Sequence, residues 1–285
     1  MESVVLALGG LGVEKKIFIN EHEERVVYTL GGSAWHIAFS SRALGCKSSI
    51  LAEIGSDDLG YDLFSVLKMN EIEFVGTKSS KTQEYQSIIK DGNSVQFVAS
   101  LDNITKENVI KCFSNNLLES DILVIGYISS DILPYILNKR NLFKVLCLNM
   151  SSSIMLMSCL EIIQFVPLFN IITMNISEAK QLSYKFNLEI EGFLKKLSTE
   201  YNYVFVTSNE YIIYVINKHI DYYKFTSLNN VIDSTGAGDA FATSIAICIN
   251  NNMSLFEGLK QAVYSSHCMC GVIEENSINK SVWKL

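Results

Sequence analysis

Asp233-Ser234-Thr235-Gly236-Ala237-Gly238-Asp239 is the stretch whose residue types and spacing suit chemistry. A β-branched pair, Val231 and Ile232, leads into it, and an uninterrupted helical pattern, Ala240 to Ile249, follows. A strand-like entry, a glycine-rich turn and a helix start make an anion site. The first N–H groups of a helix have no partner inside it, and the helix dipole favours negative charge there. Glycines let a phosphate approach the backbone closely. Asp239 stands beside that site. A carboxylate where phosphate should go points to chemistry rather than simple binding. It can take the proton of an attacking hydroxyl while the amides hold a transferring phosphoryl group. A lone Asp would be an ordinary helix start; the whole string is more than that.

Elements must position these residues, and the bulk composition says what kind. The chain has 285 residues, 48% hydrophobic and 19% charged, which suits a globular protein with a sizeable core. With a net charge of −7 and no Lys/Arg cluster, no nucleic-acid partner is expected. Met1 to Leu6 lacks a basic segment and is a first strand rather than a signal peptide. Val145 to Leu160 is the most membrane-like run, yet it holds Asn149 and several serines; it suits a buried strand plus helix, and no membrane partner is expected. Seven scattered cysteines without a CxxC pair suggest reduced, mostly buried thiols of a cytoplasmic protein. Cys268-Met269-Cys270, without a second pair, does not make a metal site.

Residues 3–9 form a continuous apolar strand, broken by Gly9-Gly10-Leu11-Gly12. Lys15 stands where a dinucleotide turn needs its third glycine and no helix follows, so that reading fails. Lys16–Ile19 and Arg25–Tyr28 predict two short strands, and Gly31-Gly32-Ser33 opens a helix from Ala34 to Leu44. Ser48–Ile54 is a strand. Gly55 to Gly60 has phosphate-loop spacing without the lysine, so it is a turn and cap before the helix Leu59–Met69. Glu73–Thr77, Tyr85–Lys90 and Ser94–Ser100 predict three half-polar strands, the last two joined at Asp91-Gly92-Asn93. From 105 onward helices (105–113, 131–139, 154–163, 177–186, 189–199) alternate with strands (Ile122–Gly126, Val145–Leu148, Ile171–Met174, Tyr203–Thr207). That alternation implies a mostly parallel sheet covered on both faces. Tyr211–Ile216 and Asp221–Phe225 add an antiparallel edge, and helices near 237–250 and 254–271 close the chain. One α/β domain over 1–285 is expected, carrying a small β-sheet flap built from 14–30 and 73–100.

At this point the chain resembles the ribokinase-like (PfkB) family of carbohydrate and nucleoside kinases. Gly31-Gly32-Ser33-Ala34 through Leu44-Gly45, then Ala52 to Gly60, is similar to its N-terminal signature: a di-glycine opening a helix, then a strand ending in a Gly-x-Asp-x-x-Gly turn. Asp233 to Phe241 resembles its C-terminal Asp-Thr-x-Gly-Ala-Gly-Asp-x-Phe signature, and Asn175-Ile176-Ser177-Glu178 its Asn-x-x-Glu motif. The resemblance implies a three-layer α/β/α sandwich with a mostly parallel central sheet and a small β-sheet lid. It implies transfer of the ATP γ-phosphoryl group to a hydroxyl of a small sugar, polyol or nucleoside. By similarity Asp239 is the base, and the amides of Gly236, Ala237 and Gly238 form the anion hole. Glu178, helped by Asn175, organises Mg²⁺ through water, and Asp233 sits where many members bind a monovalent cation such as K⁺. Asn175, Thr207, Asn209 and Gly238 fall on the nucleotide side; Glu14, Gly31, Gly32 and His36 on the acceptor side.

The chain departs from the pattern in places. Glu14 replaces an Asp that holds substrate hydroxyls, and His36, after Trp35, replaces an Asn. Asn149-Met150-Ser151 stands for Asp-x-Asn, and Thr207 to Ile212 lacks both glycines of Thr-x-Gly-x-x-Gly, with Asn209 able to supply a left-handed backbone in place of the first. Two other readings stay open: a nucleoside kinase whose Trp35, His36, Tyr85 or Phe97 stacks on a base, and a kinase-derived binding protein with weak catalysis. The outer face of the flap is also suited to pairing two subunits as a homodimer.

Overall fold

In chain order the computed structural model runs β1 (Val4–Leu8), β2 (Gly12–Ile19), β3 (Glu24–Gly31), α1 (Ser33–Ala43), β4 (Lys47–Leu51), β5 (Glu53–Gly55), α2 (Asp58–Met69), β6 (Ile72–Phe74), β7 (Thr77–Ser79), β8 (Gln83–Lys90) and β9 (Asn93–Ala99). It continues through α3 (Lys106–Ser114), β10 (Ile122–Ile125), α4 (Leu133–Asn138), β11 (Val145–Asn149), α5 (Ser152–Met155), α6 (Cys159–Phe165), β12 (Ile171–Asn175) and α7 (Ile176–Lys185). The last elements are α8 (Ile190–Leu197), β13 (Tyr203–Thr207), β14 (Tyr211–Ile216), β15 (His219–Lys224), α9 (Ala237–Asn250) and α10 (Leu255–Met269). The structure describes residues 3–19, 24–90, 93–99, 104–114, 120–150, 152–229 and 231–270, with backbone alone over 93–99 and 152–153. The Phe97 side chain and the Asp91-Gly92 turn lie outside what is described.

A 9-stranded sheet has the order β15-β14-β13-β12-β11-β10-β1-β4-β6. It is parallel from β13 to β6, and β14 and β15 add the expected antiparallel edge. Strand β1 shows why the sheet is covered on both sides. Successive side chains of a strand point to opposite faces, and Val5 and Ala7 enter one apolar core while Leu6 and Leu8 enter another. The first core takes in α1, α2, α9 and α10; the second takes in α3, α4, α6, α7 and α8. The result is the three-layer α/β/α sandwich. Strand order reverses at β1, between β4 and β10, and ligands of such sheets bind at the carboxyl ends of the strands beside the reversal.

A 4-stranded sheet, β3-β2-β8-β9, stands apart from the main sheet. It is antiparallel except where β2 runs parallel to β8. Its extent corrects the expected flap segment 73–100. Strand β6 is instead the edge of the main sheet and β7 pairs with β5, so the second flap segment begins at Gln83. Half-polar composition marks an edge strand as readily as a flap strand, and only pairing separates them. The single helix expected over 154–163 is two. Ser158 Oγ accepts the Glu161 N–H at 3.3 Å, and the Glu161 carboxylate accepts the Ser158 N–H at 2.8 Å. This capping box starts α6 afresh. Among the described residues no helix is long and apolar enough to cross a membrane.

Candidate active site

Helices α1 and α9 pack side by side on one face of the main sheet. Each begins at a glycine with positive φ, Gly32 at 95° and Gly236 at 82°. A Cβ on Gly32 would come within 2.3 Å of the Gly10 carbonyl, and one on Gly236 within 2.7 Å of the His36 ring. Left-handed backbone and close approach thus both demand glycine. The loop before α9 is thereby pressed onto the first turn of α1, and His36 lies against the N-terminus of α9. A Cβ on Gly238 would touch only Asn149 Nδ2, at 3.8 Å, so the front of this turn is open. The Ala237 amide, one of the three expected to face an anion, already donates to the Ser234 carbonyl at 3.2 Å.

Asp239 is half-buried in the first turn of α9. Its Oδ1 accepts from Asn149 Nδ2 at 2.8 Å, and Asn149 Oδ1 accepts from Thr173 Oγ1 at 2.9 Å. The ends of β11 and β12 therefore aim the carboxylate. Burial pushes its pKa up to about 7; the Asn149 hydrogen bond opposes the rise and the nearby Glu178 charge adds to it. That is the range in which a base works near neutral pH.

On β2 the period of two places Glu14 and Lys16 on one face, opposite Thr29 of β3 and Tyr85 and Ser87 of β8. Glu14 is 1% exposed. A Cβ on Gly31 would sit 3.0 Å from Glu14 Oε2, so Gly31 leaves that carboxylate its place. Glu14 Oε1 accepts from Ser87 Oγ, and Oε2 has no hydrogen-bond partner. Burial raises its pKa against the pull of Lys16 and Ser87. Lys16 Nζ lies 3.7 Å from Glu14 Oε2 and donates to Asp233 Oδ2 at 2.5 Å. The other Asp233 oxygen accepts the Thr235 N–H at 2.9 Å. His36 is 6% exposed with neither ring nitrogen bonded. Burial first, then Lys16, drive its pKa down to about 3, so the ring is neutral. Thr29 Oγ1 and Thr235 Oγ1 are likewise buried without partners. Such atoms are costly unless ordered water or a ligand satisfies them. Trp35, by contrast, belongs to the core and packs on Phe39 with ring centroids 5.3 Å apart.

Asn175 and Thr207 are register partners at the carboxyl ends of β12 and β13. Asn175 and Glu178 form a capping box on α7: Asn175 Oδ1 accepts the Glu178 N–H at 2.9 Å and Glu178 Oε2 accepts the Asn175 N–H at 2.7 Å. Burial lifts the Glu178 pKa to about 7 despite that bond. Asn209 is exposed and is not among the residues with positive φ, so it does not replace a glycine in the expected way. Ser208 holds the turn instead. Its N–H and Oγ donate to the Tyr211 carbonyl at 3.0 and 2.8 Å, and its Oγ accepts the Tyr211 N–H at 3.1 Å.

The N-terminal signature has a mechanical role. Asp57 caps α2 through the Gly60 N–H at 2.9 Å and reaches the Thr82 N–H at 2.9 Å and its hydroxyl. A Cβ on Gly55 would lie 2.1 Å from Thr82 N. The turn therefore grips the residue just before β8. No motif marks Lys16, Thr29, Ser87 or Thr173 in the sequence, and Asn149 stands out there only as a departure from the family pattern. Lys16 was within reach, because two residues beyond Glu14 on a strand is the same face.

Asp239 thus stands at a glycine-capped helix start beside the carboxyl ends of β11 and β12, and the small sheet reaches the same loop through Lys16 and Asp233. The chain belongs to the pfkB family of carbohydrate kinases, whose sequence model matches residues 18–280. It is a phosphotransferase with an alcohol group as acceptor, and kinases of this family use ATP with Mg²⁺. A ribokinase from Lactococcus lactis is 27% identical over 231 residues, 77% of this chain and 71% of that protein. The structure is similar to an adenosine kinase from Sinorhizobium meliloti (TM-score 0.78, 16% identity, 95% of this chain and 94% of that one). It is also similar to a carbohydrate kinase from Agrobacterium tumefaciens (TM-score 0.70, 19% identity, 93% and 90%). At such identities these two likenesses speak for the fold alone.

Proposed function

We propose that the acceptor is a sugar or sugar-like polyol and that Asp239 is the base. The observation that carries this reading is the set of buried polar atoms without partners, on Glu14, Thr29, His36 and Thr235, gathered around the loop and flap beside α9. Several hydroxyls on one small ligand would satisfy them. Two carboxylates against one ammonium offer no net positive charge to a phosphorylated or acidic acceptor. With Trp35 in the core, a nucleobase loses its largest stacking partner.

In this reading the acceptor hydroxyl gives its proton to the Asp239 oxygen not held by Asn149. The acceptor oxygen bonds to the γ-phosphorus as the bond from that phosphorus to the bridging oxygen breaks, releasing ADP. Gly236 and Gly238 face the transferring group. Asn175, Thr207 and Asn209 line the nucleotide side, where strand ends converge. Glu178 suits Mg²⁺ held through water: burial raises its pKa to about 7, and a hydrated divalent ion beside it would favour the ionised form. The ion would neutralise phosphate charge. The four-stranded sheet acts as lid, and the protein is one catalytic domain.

The same sheet supports a homodimer. Its inner face is polar, whereas Ile19, Val26 and Tyr28, on the outer face, are 40%, 42% and 54% exposed. A second copy covering that face would hide them. Light scattering should return a dimer; a monomer at working concentration removes this part alone.

The test of function is an ADP-release screen of sugars, polyols and nucleosides with the wild type and Asp239→Asn. Turnover with a sugar or polyol is expected, reduced about 10²–10⁴-fold by the substitution. Turnover confined to nucleosides would move the acceptor class. Turnover unaffected by Asp239→Asn would overturn the base.

A further inference from the structure

We infer that the Lys16 ammonium takes the place of a monovalent cation at Asp233, so that the protein needs no K⁺. This rests on the reading of the Asp233–Asp239 loop as the phosphoryl-transfer loop. Similarity to the family placed a cation at Asp233, and the donor set does not fit one. Both carboxylate oxygens are engaged, Oδ1 by the Thr235 N–H at 2.9 Å and Oδ2 by Lys16 Nζ at 2.5 Å. Lys16 and Asp233 side chains are 10% and 14% exposed, so a competing ion would have to enter a nearly closed pair. An ion placed beside Asp233 would also stand against the ammonium, and like charges in a poorly solvated place repel strongly.

The geometry makes Lys16 a positioning residue. It lies on β2 in the lid and reaches the loop that ends at Gly236, which caps α9. It also sits 3.7 Å from Glu14 Oε2, the carboxylate oxygen without a hydrogen-bond partner. One tethered charge therefore holds the loop, offsets two buried carboxylates and joins acceptor side to anion site. A tethered cation gives up far less freedom than an ion drawn from solution. It also does not vary with the salt outside. The lowered Asp233 pKa agrees in direction: burial acts to raise it, and the Lys16 charge and hydrogen bond, together with hydrogen bonding from Thr235, more than offset that.

The experiment uses the full chain in KCl, NaCl and tetramethylammonium chloride at equal ionic strength. Two readouts are followed, thermal unfolding and kcat/KM. For the wild type, unfolding temperatures should agree within about 2 °C and kcat/KM within about twofold. Lys16→Ala and Lys16→Met remove the charge with and without leaving space. Lys16→Ala should lose activity and regain part of it in K⁺, with a K⁺-dependent rise in unfolding temperature, while Lys16→Met should lose activity without rescue. A wild type that requires K⁺, or is stabilised by it over tetramethylammonium, overturns the inference. So does a Lys16→Ala protein that matches the wild type in all three salts. If no acceptor is turned over, the proposed function fails while the unfolding series still decides this point. If neither variant folds, the wild-type series decides it.

Discussion

As the proposed base, Asp239 is the residue whose protonation should be visible in the kinetics. With its pKa held near 7, kcat/KM should fall below about pH 7 with unit slope, because the base must be ionised in the free enzyme. Asn149 lowers that pKa by its hydrogen bond, so Asn149→Ala should move the acid limb to higher pH as well as reduce the rate. A limb that stays in place would show that Asn149 does not tune the base. Glu178 is a second carboxylate lifted to about 7, and its proposed partner is a hydrated divalent ion. Glu178→Gln should raise the Mg²⁺ concentration for half-maximal rate by roughly tenfold and change the acceptor KM little. The reverse ordering would count against that role.

At the scale of elements, the β13–β14 turn does without the glycines of the family pattern because Ser208 closes it with its own hydroxyl. Ser208→Ala removes both hydroxyl bonds to Tyr211 and leaves only the backbone bond from the Ser208 N–H to the Tyr211 carbonyl. It should raise the KM for ATP several-fold while leaving the acceptor KM near its starting value. Equal changes in both would mean that the turn does not serve the nucleotide. The di-glycine and Gly-x-Asp-x-x-Gly stretches were legible as motifs, and part of their reason was not. Gly236 makes room for a side chain 200 residues earlier in the chain, and Gly55 makes room for Thr82. A one-dimensional pattern marks where a side chain must be missing, without naming what fills the space.

For the molecule as a whole, the raised carboxylates tie stability to pH. Asp239 and Glu178 bind protons more tightly folded, at about 7, than at their ordinary 3.8 and 4.5. Between those values the native state holds more protons than the unfolded one, so stability should fall as pH rises from about 4 to about 7. Asp57 and Asp121, held low by Thr82 and Lys144, act the other way and lose their contribution as pH falls through their folded pKa values. Unfolding temperature in Mg²⁺-free buffer should therefore peak on the acid side of neutrality. Asp239→Asn and Glu178→Gln should each flatten the decline toward pH 7. An unfolding temperature that instead rises steadily from pH 5 to 7 would contradict the raised values.

By itself the sequence determined the reaction class, the alternating α/β order and the string that ends at Asp239. These are local properties: periodicity, turn chemistry and spacing survive in one dimension. Tertiary structure decided which strands form the small sheet, that β6 belongs to the main sheet instead, that Ser158 divides a helix and that Trp35 is core. It also decided that Lys16, 217 positions from Asp233, supplies that carboxylate with its cation. Pairing and burial are relations between distant segments, and electrostatic partners follow from them. A charge two residues from Glu14 shows its face in the sequence, and only the fold says which carboxylate lies across from it.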